Sequence, residues 1–238
     1  MVSKQEQERR LRDYRARQTV HERRQRRQRR DSLLGAGLAF VVLLGGAGAI
    51  WAQQEANAVR VPEASIAEGR TWTGTMTING VELGVELDGA AAPQAVSAMI
   101  YDTERDYYDG KTCHRLTTSD TFKVLQCGSV DGEGSGDPEF MYGPIENAPE
   151  DDLYIEGTIA IARQGGDGES MGHQFFIVYG DTTIPSDEAG GYTVVGSVTS
   201  GLDQLREQVI AAGTSPGAPN PADAAPSITV EIDDFAVQ

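Results

Sequence analysis

The sequence predicts a mainly β domain, an antiparallel sheet or closed barrel with helices at its ends, set behind a membrane-length apolar segment. Three observations carry this. Short runs rich in β-branched and aromatic residues recur between Gly, Asn, Asp and Ser clusters. Only two stretches of the body have helical spacing. The charge is split along the chain. Residues 1–31 hold 12 Lys and Arg against 5 Asp and Glu, a net of +7, and the rest holds 8 against 31, a net of −23. The overall charge of −16 therefore hides a basic tail and an acidic body, and that balance argues against a nucleic-acid binder. At 39% hydrophobic residues the 238-residue chain can bury a core.

Residues 1–31 read as a basic cytoplasmic tail. The uncharged 20-residue run from Leu33 to Ala52 follows, and as a helix it would span roughly 30 Å, the thickness of a bilayer core. A transmembrane helix over 32–52 is expected, with Trp51 at its far interface. A cleaved signal peptide is the competing reading, since Ala47-Gly48-Ala49 has the small-residue form of a cleavage site. The long basic lead and the length of the apolar run favour an anchor. By the positive-inside rule the tail faces the cytoplasm and the body lies outside. A single-pass plasma-membrane protein with an extracytoplasmic C-terminal domain is expected. Arg outnumbers Lys 17 to 3, a usage that suggests a high-GC bacterium.

Residues 53–69 are polar, aperiodic and contain Pro62, as a linker would. The folded domain is placed at 70–238. TWTGTMTI alternates, Asn79-Gly80 is a strong hairpin turn signal, and VELGVEL is the partner strand. The stretch 92–108 has helical spacing, with Val96, Met99, Ile100 and the Tyr107/Tyr108 pair on one face and Gly110 after its end. Strands are predicted at 113–116, 122–127, 157–162, 173–179, 192–198 and 227–237. Residues 201–213 read as an amphipathic helix. Residues 214–226 read as a loop or low-complexity insert.

Motifs narrow the chemistry. The Gly-rich stretch 128–137 lacks the Gly-Lys-Ser/Thr ending of a phosphate loop and opens no helix. Read as a calcium loop from Asp131, its twelfth position is Tyr142, where a bidentate Glu is needed. The three histidines are His21, His114 and His173, with neither HExxH nor CxxC. No metal and no cofactor is expected.

The segments YYDGKTCHRL, VLQCGSVDGEGSGDPEF, HQFFIVYGDT and YTVVGSV, in that order, resemble the cyclophilin family of peptidyl-prolyl cis-trans isomerases, from about Gly74 to the C-terminus. The resemblance implies a closed eight-stranded antiparallel β-barrel capped by two helices. It implies rotation of X–Pro bonds in proteins or peptides, with the Arg of the His-Arg pair, here Arg115, as the catalytic donor. Gln126, Gln174, Phe176, Ala162 and His114 match family positions about the substrate. Arg163 stands where the family has a backbone-binding Asn. Counting back from Gln126, the pocket Phe of the family falls on Lys123 and its neighbouring Met on Val124. Phe122 is reached only by a register slip and then points to the opposite face. The loop Trp aligns near Ile184, and the pocket His with Tyr192.

An apolar wall lost to Lys123 implies weakened isomerase activity on secreted or envelope proteins. The alternative function is a non-catalytic module binding Pro-containing segments as a chaperone or assembly factor. Cys113 and Cys127 fall on adjacent strands of the implied hairpin, where they are either a cross-strand disulfide or two buried thiols. A monomer is expected.

Overall fold

The computed structural model describes residues 61–238. The basic tail, the expected transmembrane helix and residues 53–60 of the expected linker lie outside these residues. Among the described residues no helix is long and apolar enough to cross a membrane. Residues Ala64–Ala67, at the end of the segment read as linker, form a 3-10 turn that buries Ala67.

The hairpin follows the sequence pattern. Strands β1 (Thr71–Ile78) and β2 (Val81–Asp88) pair residue for residue. Asn79 and Gly80 both take positive φ, 47° and 75°, as the tight turn requires. The alternation of β2 puts Val81, Leu83, Val85 and Leu87 inside.

Helix α1 spans Pro93–Thr103 and begins on a proline, whose missing N–H costs nothing there. Its free N–H groups at Gln94 and Ala95 donate to the distant Glu146 carboxylate at 3.1 and 3.0 Å. The helix stops before the tyrosine pair that the spacing included. Asp106 turns left-handed at φ 52°, and the chain folds back so that Tyr108 still enters the core.

The remaining strands are β3 (Cys113–Thr117), β4 (Val124–Cys127), β5 (Leu153–Tyr154), β6 (Thr158–Ile161), β7 (Phe175–Val178), β8 (Thr182–Thr183), β9 (Val194–Ser200), β10 (Asp223–Ala224) and β11 (Ile232–Val237). Helix α2 (Leu202–Gln208) follows β9. The expected closed eight-stranded barrel is corrected to an open nine-stranded sheet, in the order β10-β3-β4-β7-β6-β9-β2-β1-β11, with β5 and β8 paired separately. The sheet curls, but no strand ladder closes it. Where β11 approaches the start of β3, contact is one bridge, Thr112 to Glu231, flanked by backbone bonds such as Cys113 N–H to Val230 O. The ninth strand, β10, lies within the segment read as a low-complexity insert.

The sheet separates two apolar clusters. Leu125, Ile159, Ile161, Phe175 and Ile177 face the main core under α1. Their neighbours Val124, Ala160, Phe176 and Val178 face a smaller cluster with Tyr154. Each central strand is buried on both faces, so it reads as a continuous apolar run while its side chains still alternate.

Candidate active site

The second face of the sheet builds the site. Register aligns Arg115 on β3 with Gln126 on β4, Gln126 with Phe176 on β7, and Phe176 with Ala160 on β6. One row across four strands thus carries the cation, an amide, an aromatic ring and a methyl. A register shift between Cys113 and Arg115 makes this possible. In a regular strand, residues two apart share a face. The bulge at His114 instead lets Cys113 face the core beside Cys127 while Arg115 faces the site beside Gln126.

Cys113 and Cys127 are joined by a buried disulfide, with Cα atoms 3.8 Å apart. It ties β3 to β4 one step from the Arg115–Gln126 pair.

Arg115 is held from two sides. Its Nε and Nη2 donate to the Asp223 carboxylate at 2.7 and 2.8 Å, and its Nη1 donates to Gln126 Oε1 at 3.2 Å. Gln126 Nε2 donates to Gln174 Oε1 at 2.9 Å, and Gln174 Nε2 donates to the Gly134 and Ser135 carbonyls. Since Arg only donates, it fixes the orientation of both amides in turn. The hydrogen bond from Arg115 holds the Asp223 carboxyl below the usual range, and the bond to Asp223 raises Arg115 further. Arg115 stays charged at any physiological pH.

Beside Arg115 lies a cavity of about 100 Å³ lined by Phe122, Val124, Gln126, Ala162, Arg163, Phe176, Ile184 and Tyr192. The Phe176 ring meets Tyr192 edge-on at 5.6 Å and Tyr154 at 6.2 Å. The Tyr192 N–H donates to the Tyr154 hydroxyl at 2.6 Å, which locks this aromatic corner. Gln126, Ala162 and Arg163 are shared with an adjoining cavity of about 400 Å³, which Gln174 and His173 also line.

Two expected site residues lie elsewhere. Lys123 lines neither cavity and packs its side chain on Gly180, so close that a Cβ there would sit 2.7 Å from Lys123 Cδ. Phe122 takes the wall in its place, with the Arg115 guanidinium 5.4 Å from its ring centre. Phe122 precedes β4 and lies in a turn bridged to Ser119, so the parity of the strand does not govern its direction. His114, displaced by the bulge, also lines neither cavity; it packs against Gly134 and borders a separate surface hollow. Among sequence-predicted residues, the structure brings together Arg115, Gln126, Phe176, Val124, Ala162, Arg163, Ile184 and Tyr192, with Gln174 as neighbour.

Sequence reasoning missed Asp223, Asp187 and Tyr154. No local motif marks them, since each meets its partner from a segment distant in sequence. Arg163 is 1% exposed and spends its N–H groups on Asp187 and on the Gln164, Gly190 and Gly191 carbonyls. Its bond also pulls the Asp187 carboxyl well down.

Gly168-Glu169-Ser170-Met171-Gly172 has the Gly-x-Ser-x-Gly spacing of a hydrolase elbow, without the strand-to-helix setting. The Ser170 hydroxyl donates to Asp167 O and accepts from Gln164 N–H, so it closes a loop. No carboxylate, Cys, His, Ser or Thr lines the 100 Å³ cavity. It can seat a small apolar ring, and it offers that ring an arginine N–H.

The family model described as cyclophilin type peptidyl-prolyl cis-trans isomerase/CLD matches residues 73–234. A probable peptidyl-prolyl cis-trans isomerase B of Mycobacterium leprae is 31% identical over 196 residues, covering 76% of this chain and 63% of the relative. A peptidyl-prolyl cis-trans isomerase of Helicobacter pylori is 31% identical over 143 residues, covering 58% of this chain and 83% of that one. The chain thus spans less than two thirds of the mycobacterial relative. The fold is similar to a Cryptosporidium parvum cyclophilin type peptidyl-prolyl cis-trans isomerase crystallised in the presence of the dipeptide Ala-Pro. The TM-score is 0.54 at 19% identity, over 70% of this chain and 98% of that one.

Proposed function

The chain belongs to the cyclophilin-type peptidyl-prolyl cis-trans isomerase family, and from that premise we propose that it rotates X–Pro bonds in proteins or peptides, with Arg115 as the donor. The observation that supports this is the placement of a held guanidinium beside an apolar cavity of about 100 Å³.

The chemistry follows from the amide. Resonance makes the bond planar and sets a barrier of about 18–20 kcal/mol to its rotation. At the top of that barrier the resonance is lost, and the prolyl nitrogen becomes pyramidal and basic. A donor aimed at this nitrogen stabilises the twisted state more than either planar isomer. Arg115 has five N–H groups, and three are engaged by Asp223 and Gln126. Two are without a partner among the described residues and are open to the substrate. Phe176, Phe122 and Val124 supply apolar contact for the ring, and Gln126 supplies a polar partner for the substrate backbone. No proton is transferred.

The alternative of a binding module without catalysis drew on a lysine in the pocket wall. Phe122 occupies that wall, which supports the catalytic reading. The proposed setting is outside the cytoplasm, on proteins folding at the envelope, with Leu33–Ala52 as the anchor. X–Pro isomerisation takes tens of seconds or longer uncatalysed and limits folding there too.

The test is the cis-to-trans rate of X–Pro peptides with the purified full-length chain and with Arg115→Ala. Acceleration that disappears in the variant supports the reading. No acceleration from a folded sample over a series of X residues leaves the binding module.

A further inference from the structure

We infer that Asp223, delivered by the segment between α2 and β11, is a positioning residue that aims Arg115 at the cavity. The inference rests on Arg115 being the donor of the proposed reaction.

The segment 213–227 is not a loose insert. Its base is tied by the Ser215 N–H to Ala225 O and the Ser227 N–H to Gly213 O, at 2.8 Å each. Its tip is held by the Thr214 hydroxyl, which donates to Pro221 O at 2.7 Å. Strand β10 then adds to the edge of β3, with Asp223 opposite Thr117 and Ala224 opposite Leu116. The neighbouring Thr118 N–H donates to Ala222 O at 2.9 Å. This pairing sets the Asp223 carboxylate against one edge of the guanidinium.

The geometry of that contact leaves the donor usable. Asp223 takes the Nε and Nη2 side in a fork, and Gln126 takes one N–H of Nη1. One N–H on each Nη is left without a partner among the described residues. A half-exposed arginine on a flexible stem otherwise loses rotamer entropy when it is fixed. Here the fixing is done before substrate arrives, which is what makes a donor effective in a transition state. The carboxylate also offsets the cation's net charge. That offset does little harm to the reaction, because a pyramidal prolyl nitrogen is neutral and calls for a directed N–H.

The experiment measures kcat, KM and Tm for the full-length chain and for Asp223→Asn, Asp223→Glu and Arg115→Ala. A positioning role predicts that Asp223→Asn lowers kcat about tenfold with KM within about twofold, because ground-state binding does not need the aimed donor. Tm is expected to stay near that of the parent, and Asp223→Glu is expected to recover part of kcat. An unchanged or raised kcat in Asp223→Asn overturns the inference, the second by making Asp223 a brake. A loss that tracks a lowered Tm and is not relieved by Asp223→Glu overturns it as well. Arg115→Ala separates the two levels. If it abolishes turnover while Asp223→Asn leaves kcat unchanged, only the positioning role fails. If Arg115→Ala retains full kcat, the donor reading itself fails.

Discussion

Two arginines flank one cavity and are held in opposite ways. Arg163 is 1% exposed and gives its N–H groups to Asp187 and to the Gln164, Gly190 and Gly191 carbonyls. It is bound on every side, and it braces the loop that carries Tyr192, with its guanidinium 4.8 Å from that ring centre. The Arg115 side chain is 37% exposed, meets one carboxylate and one amide, and lines the cavity. The same side chain serves as a brace where every donor is used and as a reagent where some are left over. Counting N–H groups against partners is thus more informative than charge or burial alone.

This contrast can be broken by substitution. Arg115→Ala is expected to lower kcat/KM about 100-fold or more, the scale seen when one transition-state donor is removed. Its Tm is expected to change little, since the side chain is half in solvent. A Tm loss without a rate loss would exchange the roles assigned to the two arginines. Replacing Cys113 and Cys127 together by Ala is expected to cost about 3 kcal/mol in a denaturant melt, the value for a loop of this length, along with a smaller fall in rate as β3 loosens under Arg115. Arg163→Ala is expected to show the reverse balance, with stability lost because Asp187 and the Gly190 and Gly191 carbonyls lose their donor. Its rate should fall only as far as Tyr192 moves.

The pair Phe122 and Lys123 sharpens the comparison further. Phe122→Ala is expected to raise KM by about tenfold or less, for loss of roughly 1–1.5 kcal/mol of aromatic contact. Lys123→Ala is expected to leave KM within about twofold, as surface changes do. A larger effect at Lys123 would place it in the wall after all.

The smallest effect is on pH dependence. The hydrogen bonds from Arg115 and Arg163 hold Asp223 and Asp187 below the usual carboxylate range. A carboxylate lowered in the folded state stabilises the fold above its unfolded value and ceases to do so as pH falls through the folded one. Acid melts are therefore expected to lose stability progressively below about pH 4. The rate is expected to be flat from about pH 6 to about pH 9, because the proposed rotation transfers no proton. A bell-shaped profile would call for a proton-transfer step that the proposed mechanism does not contain.

Much of the scaffold was legible in the chain. The Asn79-Gly80 turn, the alternation of β1 and β2, and the apolar runs of β4, β6 and β7 each reflect a local rule that the packing did not override. The spacing over 92–108 overshoots the helix, because Tyr107 and Tyr108 continue the apolar pattern while Asp106 reverses the backbone. At the site, parity counting from Gln126 selected Lys123, and it failed because residue 122 lies before the strand begins. His114 was placed by its neighbour Arg115, and a bulge separates them.

By itself the sequence determined which residue types stand on the paired strands, and with them the family, the Arg115–Gln126–Phe176 set and the charge split along the chain. Strand alternation and turn chemistry act over a few residues, so they can be read without a fold. Only the tertiary structure decided that Phe122 rather than Lys123 faces the ring, that the bulge at His114 turns Arg115 outward, and that Asp223, more than a hundred residues away, reaches its guanidinium. Those outcomes depend on register and on which distant segment adds to a sheet edge. Both are set by the packing of the whole chain, not by any neighbouring residue.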